Sequence, residues 1–192
     1  MSAGREDFLI AQYNQLMGSI NRHLTVIWQS LTALIGSFTI HTLVEKNVIS
    51  MDIAVSLGVL VAIWSVCHII DAGYWYNHNL VIIANIERQF MTASDAREIH
   101  YYFTGYRQSN EMIVHLKIQM GLAISILAAV IVFHFMDRVF PGFSAPISNF
   151  DLKRSFPYMC LGSGFLIVWL LYSKRSKDYN ELIERSPGKV IK

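Results

Sequence analysis

Four stretches of the chain contain no Asp, Glu, Lys or Arg: residues 23–44, 53–70, 118–136 and 155–173. Their lengths of 22, 18, 19 and 19 residues are each close to the roughly 20 that a helix needs to cross a hydrocarbon core. The pattern predicts an all-α integral membrane protein with four transmembrane helices. The first run reads LTVIWQSLTALIGSFTIHTLV from Leu24 to Val44, and only the eight residues EKNVISMD separate it from the second. So short a link makes the two an antiparallel hairpin. The fourth run opens just after Pro157, a residue suited to the first turn of a helix.

Residues 71–117, between the second and third runs, do not read as a loop. Leu80, Ile83, Ile86 and Phe90 keep a helical stripe that continues the second span. One helix from Ile53 to Met91 is therefore expected, about 39 residues and on the order of 58 Å at 1.5 Å per residue. Thr92 and Ser94 suit the start of a short helix over DAREIHYYF that Gly105 ends, and Asn110 suits the start of a return helix. The expectation is a helical hairpin stalk outside the bilayer. Before the first span, residues 1–23 are amphipathic, with Phe8, Leu9, Tyr13, Leu16, Met17 and Ile20 on one side. That face either lies on the inner leaflet or packs against the stalk. The expected order is an amphipathic segment 1–23, a transmembrane hairpin 24–70, a cytosolic stalk 71–117, a second hairpin 118–173 and a basic tail 174–192. The last stretch of the tail, with Pro187 and Gly188, shows no core-forming pattern.

Composition narrows the class further. Hydrophobic residues make up 53% of the chain and charged residues only 16%, against about 25% charged in a soluble domain. That excludes a water-facing globule, a disulfide scaffold and a disordered tail. A net charge of +2 without a basic stripe argues against direct binding of nucleic acid. Cys67 and Cys160 both fall inside spans and read as buried thiols. Arg5, Glu6, Asp7 and Arg22 stand where a signal peptide would need apolar residues, so the first span is expected to direct insertion. With the N-terminus inside, twelve Lys and Arg fall on the cytosolic side and four (Lys46, Arg138, Lys153 and Arg154) on the other. This bias predicts cytosolic termini and a bacterial inner membrane location.

Candidate chemistry is sparse. His68, Asp71, Trp75 and His78 follow steps of three, four and three and so share one helix face at the inner end of the second span. An ionisable pair at that depth is costly unless partnered, which makes it a candidate for binding a cation, relaying protons or holding a head group. The competing reading is an interfacial belt of Tyr74, Trp75 and Tyr76 with Asp71 and His78 in water. In the stalk, Arg88, Arg97, His100 and Arg107 are candidate contacts for a protein or nucleotide, or else a solvated surface. No HExxH, cysteine pair, Walker or Rossmann pattern is present, and the Arg–His spacing of one ribonuclease class is missing. No catalytic residue, metal ligand or cofactor is therefore assigned, and the chain is not expected to be an enzyme.

Small residues recur every four positions: Ala33 and Ser37 in the first span, Ala54, Gly58 and Ala62 in the second, and Gly121, Ser125 and Ala129 in the third. Such faces let helix backbones approach closely in lipid, within a subunit or between subunits, and they predict a homo-oligomer. Gln29, Ser30, Thr32, Ser37, Thr39 and His41 in the first span, with Gln119, Ser125 and His134 in the third, would either wet a pore or bond between helices. Lys174, Arg175 and Lys177 suit anionic head groups.

The span hairpin, the helical cytosolic part and the run DAGYWYNHNLVIIANIERQF resemble small multi-spanning bacterial membrane proteins of antiviral defence clusters. These are the SLATT-type effectors and the membrane subunit of the Kiwa system. The resemblance covers the plan of about residues 5–140 and transfers no residue-level role. It implies an oligomeric inner-membrane protein that perturbs the bilayer on a signal received by its stalk. The alternative is a non-conducting anchor or sensor that recruits a cytosolic partner protein.

Overall fold

The computed structural model describes residues 3–92, 94–98, 107–144, 146 and 151–186. Among them the chain is helical and has no strand. The order is α1 (Ala3–Gly36), a 3-10 turn Ser37–Thr39, α2 (Ile40–Glu45), α3 (Met51–Glu87), α4 (Asp95–Glu98) and α5 (Val114–His134). A π-helical turn Phe135–Val139 and 3-10 turns Phe140–Ser144 and Leu152–Ser155 lead to α6 (Phe156–Arg185). Three helical stretches are long and apolar enough to cross a membrane: Met51–Glu87, Val114–Ser144 and Leu152–Arg185.

The first apolar run is not one unbroken helix. Ser30, Thr32, Ser37, Thr39 and Thr42 each donate to a backbone carbonyl three or four residues back. Such bonds compete with the helix ladder and bend it, and Gly36 adds backbone freedom where α1 gives way to the 3-10 turn. The connection to α3 is tight. Asn47 adopts φ 55°, a left-handed conformation that asparagine tolerates, while its N–H and that of Val48 return to the carbonyls of Val44 and Leu43. Ser50 then opens α3, its hydroxyl accepting from the N–H of Ile53.

The contacts divide the chain into two units. One comprises residues 27–69 and 114–171, nearly the four charge-free runs. Its core is Val55, Val59 and Ile63 of α3, covered by Leu127 and Val130 of α5 and by Cys160, Leu161 and Val168 of α6. Cys67 packs on the same cluster, and both cysteines are free thiols, half-buried. Pro157 lies in the first turn of α6, as its position in the sequence suggested. Only 11% of the apolar stretch of α6 and 17% of that of α5 is buried within the chain, which leaves Phe165, Trp169, Ile118 and Phe133 facing out. Side chains of this kind need lipid or another protein surface.

The other unit comprises residues 1–26, 70–113 and 172–192. Tyr13, Leu16, Met17 and Ile20 of α1 pack on Tyr76, Leu80 and Ile83 of α3, so the amphipathic face docks on this helix. The Tyr13 hydroxyl donates to Glu87 at 3.2 Å. Burial, and then the nearby Glu87 carboxylate, push the Tyr13 phenol above its ordinary pKa. The tail differs from its expected role as a basic anchor: α6 runs on to Arg185, with Tyr179 and Ile183 buried against Tyr74 and Val81. The helix that continues the second run ends at Glu87 rather than Met91, where Gln89, Phe90 and Met91 turn back by hydrogen bonds to Ile86 and Glu87. Ahead of the short helix α4 the Thr92 hydroxyl accepts from the Asp95 N–H at 3.4 Å, and the Thr92 N–H and hydroxyl both donate to the Asp95 carboxylate. These bonds hold the Asp95 carboxyl below the usual range. Asn110 does not cap α5, which begins at Val114; its side chain instead accepts from Asn77. His100, Gly105 and the end of the DAREIHYYF helix lie outside the described residues, as do Pro187 and Gly188.

Candidate functional site

The residues of the proposed α3 face separate. Asp71 accepts from Nε of Arg175 at 2.8 Å, and Arg175 also reaches Asp178 at 3.4 Å. The partner of the aspartate is thus an arginine of α6, not a histidine. The guanidinium sits 4.5 Å from the Tyr74 ring centroid and 5.7 Å from that of Trp75, close enough for cation–π attraction. Around Trp75, the His78 ring packs edge-on at 5.1 Å and the His23 ring is stacked at 6.2 Å. Asp71, Trp75 and His78 therefore belong to one aromatic and ionic cluster. His68 packs instead on Trp64, ring centroids 4.5 Å apart.

The cluster ties α3 to α6 by a half-exposed ion pair. The Asp71 side chain is 37% exposed and that of Arg175 21%, so water screens their attraction. Asp71→Asn should accordingly cost about 1 kcal/mol or less, read from thermal unfolding in detergent. A loss several times larger would mean that the carboxylate is far less hydrated than its exposure implies.

Of the stalk arginines, Arg107 is a structural clamp. Its Nη1 donates to Asn77 Oδ1 at 3.1 Å and to the Glu111 carbonyl at 2.9 Å, while Tyr179 donates to the Arg107 carbonyl at 2.7 Å. Arg88 is half-buried. The side chain of Arg97, like all of His100, lies outside what is described.

The small-residue faces also divide. Gly121, Ser125 and Ala129 of α5 are exposed, as is Ala33 of α1, while Ser37 is half-buried and bonded to the Leu34 carbonyl. Ala54, Gly58 and Ala62 line an apolar cleft of about 370 Å³ with Ala129 and Val130. A Cβ at Gly58 would meet only Val130, at 4.0 Å, so no backbone approaches it closely. The tight approach lies at Gly164 of α6, where a Cβ would collide with the Ile63 side chain.

Sequence reasoning missed a second polar cluster, at the start of α3. Asp52 is 1% exposed and His134 fully buried, and they meet at 3.0 Å through Oδ1 and Nε2. Arg138 donates to both Asp52 oxygens, from Nε and Nη2, each at 3.3 Å. On the other side of the imidazole, Nδ1 lies 3.1 Å from the Tyr158 hydroxyl. The Asp52 carboxylate, held by Arg138, can only accept, so Nε2 carries the proton of that contact, while either Nδ1 or the phenol can be the donor in the other. The chain Tyr158–His134–Asp52 thus has each polar atom partnered, as a buried network requires. The π-helical turn directly after His134 brings Arg138 into reach of the same carboxylate. The signal was the pair His134 and Arg138, four residues apart, but Asp52 borders one charge-free run and Arg138 lies two residues past the end of another, so both read as connecting segments.

A hydroxyl, imidazole and carboxylate in this order can also activate a nucleophile. Tyr158 lines neither of the two apolar cavities, one beside Gly58 and one between Ile53 and Met159. Among the described residues no group of three His, Cys, Asp or Glu is placed to hold a metal ion. The chain matches no protein-family model, no curated protein and no solved structure.

Proposed function

We propose that the chain is a four-span bacterial inner-membrane protein with both termini cytosolic, a homo-oligomer that perturbs the bilayer on a signal received outside it. The observation that carries this reading is continuity. Helices α3 and α6 run without a break from their apolar stretches into the packing of Tyr74, Val81, Tyr179 and Ile183. A partner or ligand acting on that packing acts on the two spans directly. The first apolar run supplies the fourth crossing: its hydroxyls bond to their own backbone, which suits a lipid environment. Exposed Gly121, Ser125 and Ala129 support assembly through α5. The resemblance of the sequence layout to defence-cluster effectors is what suggests a role in antiviral or stress response.

Induction of the protein alone in bacterial cells, followed with a membrane-potential dye, tests the effector role. Depolarisation with growth arrest is the expected result. A second reading, a non-conducting anchor that recruits a cytosolic protein, is favoured by the self-bonded hydroxyls and the apolar cleft, which offer ions no wet path through a single chain. An unchanged potential would select it. Reporter fusions at residue 48 and at the C-terminus should fall on opposite sides of the membrane, and the same side would overturn the four-span topology.

A further inference from the structure

Glu87, the last residue of α3, is only 8% exposed. It lies about 26 Å along the helix past Ile70, where the second charge-free run ends, and so is a buried carboxyl outside the spans. Its two oxygens have unequal surroundings. Oε1 accepts from the Tyr13 phenol at 3.2 Å, whereas Oε2 is shielded from water and meets no donor among the described residues. An ionised carboxylate is costly here, because a full charge leaves water in return for one neutral hydrogen bond. The protonated acid keeps the bond from Tyr13 and buries no charge. Burial accordingly pushes the Glu87 carboxyl above its ordinary pKa, against a smaller opposing effect of the Tyr13 bond.

The docked face of α1 meets Glu87 from across the packing. Tyr13 bonds to it, and Leu16, Met17 and Ile20 extend the same contact onto Leu80 and Ile83. Undocking α1 removes the phenol and opens the carboxyl to water. The other charged groups on the surrounding elements act elsewhere. Arg5 of α1 donates to the Gln89 side chain at 3.5 Å, Arg88 follows on α3 itself, and Asp95 is held by Thr92. On α6, Ser186 accepts from Asn85, and the neighbouring Glu184 and Arg185 are exposed. Burial and the Tyr13 phenol, rather than a basic partner, govern the Glu87 proton.

We propose that Glu87 is a proton-binding site that sets how firmly the amphipathic segment docks: protonated, it seats α1 on α3, and ionised, it loosens that contact. A carboxyl whose pKa is raised in the docked state favours docking in acid. Docking is therefore strongest below the ordinary value of 4.5 and weakens as pH rises through the raised one. The loss is about three-fold for every half pH unit of elevation. Helix α1 runs unbroken to Gly36, inside the first apolar run, so its docking bears on that run directly. The site stands or falls independently of the effector reading.

Amide hydrogen exchange of the full chain in detergent tests it, expressed as protection factors so that the intrinsic pH dependence of exchange cancels. Protection of residues 8–20 in the wild type should rise at least about three-fold from pH 8 to pH 5, and more than that of residues 114–134 in α5. Glu87→Gln is neutral and of nearly the same shape. It should protect residues 8–20 at pH 8 at least about three-fold better than the wild type and abolish the rise toward pH 5. A flat wild-type profile overturns the proposal. The same rise in Glu87→Gln also overturns it, because the titrating group would then lie elsewhere, at His23, Glu6 or Asp7. If Glu87→Gln fails to fold, the wild type still decides: a rise shared equally by α5 is global and overturns the site, and one confined to residues 8–20 upholds it.

Discussion

Replacing Asp52 by alanine should lower the unfolding free energy by about 3 kcal/mol, seen as a fall of about 6–12 °C in the apparent Tm in detergent. Removing one partner of a buried ion pair leaves the others uncompensated, at a cost of about 3–5 kcal/mol. The low end applies because Arg138, 34% exposed, can turn to water, whereas His134, fully buried, cannot. The cost therefore falls mainly on the imidazole, whose Nε2 loses its acceptor while Tyr158 still holds Nδ1. Replacing the whole set (Asp52→Leu, His134→Leu and Arg138→Met together) should cost less than the single change, since no fully buried polar group is then left without a partner. A single variant within 1 kcal/mol of wild type would show that the network is hydrated and dispensable.

The other large effect is expected at Gly164. This glycine is buried, and a Cβ built on it would run into the side chain of Ile63. Ile63 belongs to the core of Val55 and Val59 and is a branched residue on a helix, with little rotamer freedom to move aside. Gly164→Leu should push α6 away from α3 and cost at least the 1–3 kcal/mol typical of an overpacked core. Gly162→Leu, two residues away with nothing within 4 Å, is the matched control. Equal melting temperatures for the two variants would place the close helix contact elsewhere.

The elements were more legible than their contacts. Charge-free runs of 18 and 19 residues became the apolar parts of α3, α5 and α6, since charged side chains are costly in a hydrocarbon core and their exclusion is easily counted. The first run carried a weaker signal. Its serines and threonines bond to the backbone and interrupt the helix, which counting charges does not register. The tail was readable: Tyr179, Leu182, Ile183 and Ser186 follow helical spacing, but the basic residues around them drew attention to the membrane surface.

Pairing across helices was not legible. Small residues at four-residue spacing on α3 and α5 suggested close backbone approach, yet Gly58 faces a cleft while the tight contact uses Gly164, which belongs to no such repeat. Asp71 stood out because it ends an apolar run, but its partner lies 104 positions away in the tail. Asp52 and His134 are 82 positions apart, and a single sequence holds no record of that proximity.

Helix α3 also works as a ruler. Asp52 and Asp71 lie on one unbroken helix, 19 residues and so about 28 Å apart along its axis, and each is held by an arginine. Tilting shortens the reach of a rod across a layer, so a segment of this length cannot adapt to a thicker bilayer by leaning over. That separation is close to the hydrocarbon thickness of a typical bilayer, about 30 Å. Each ångström of mismatch costs a fraction of a kcal/mol.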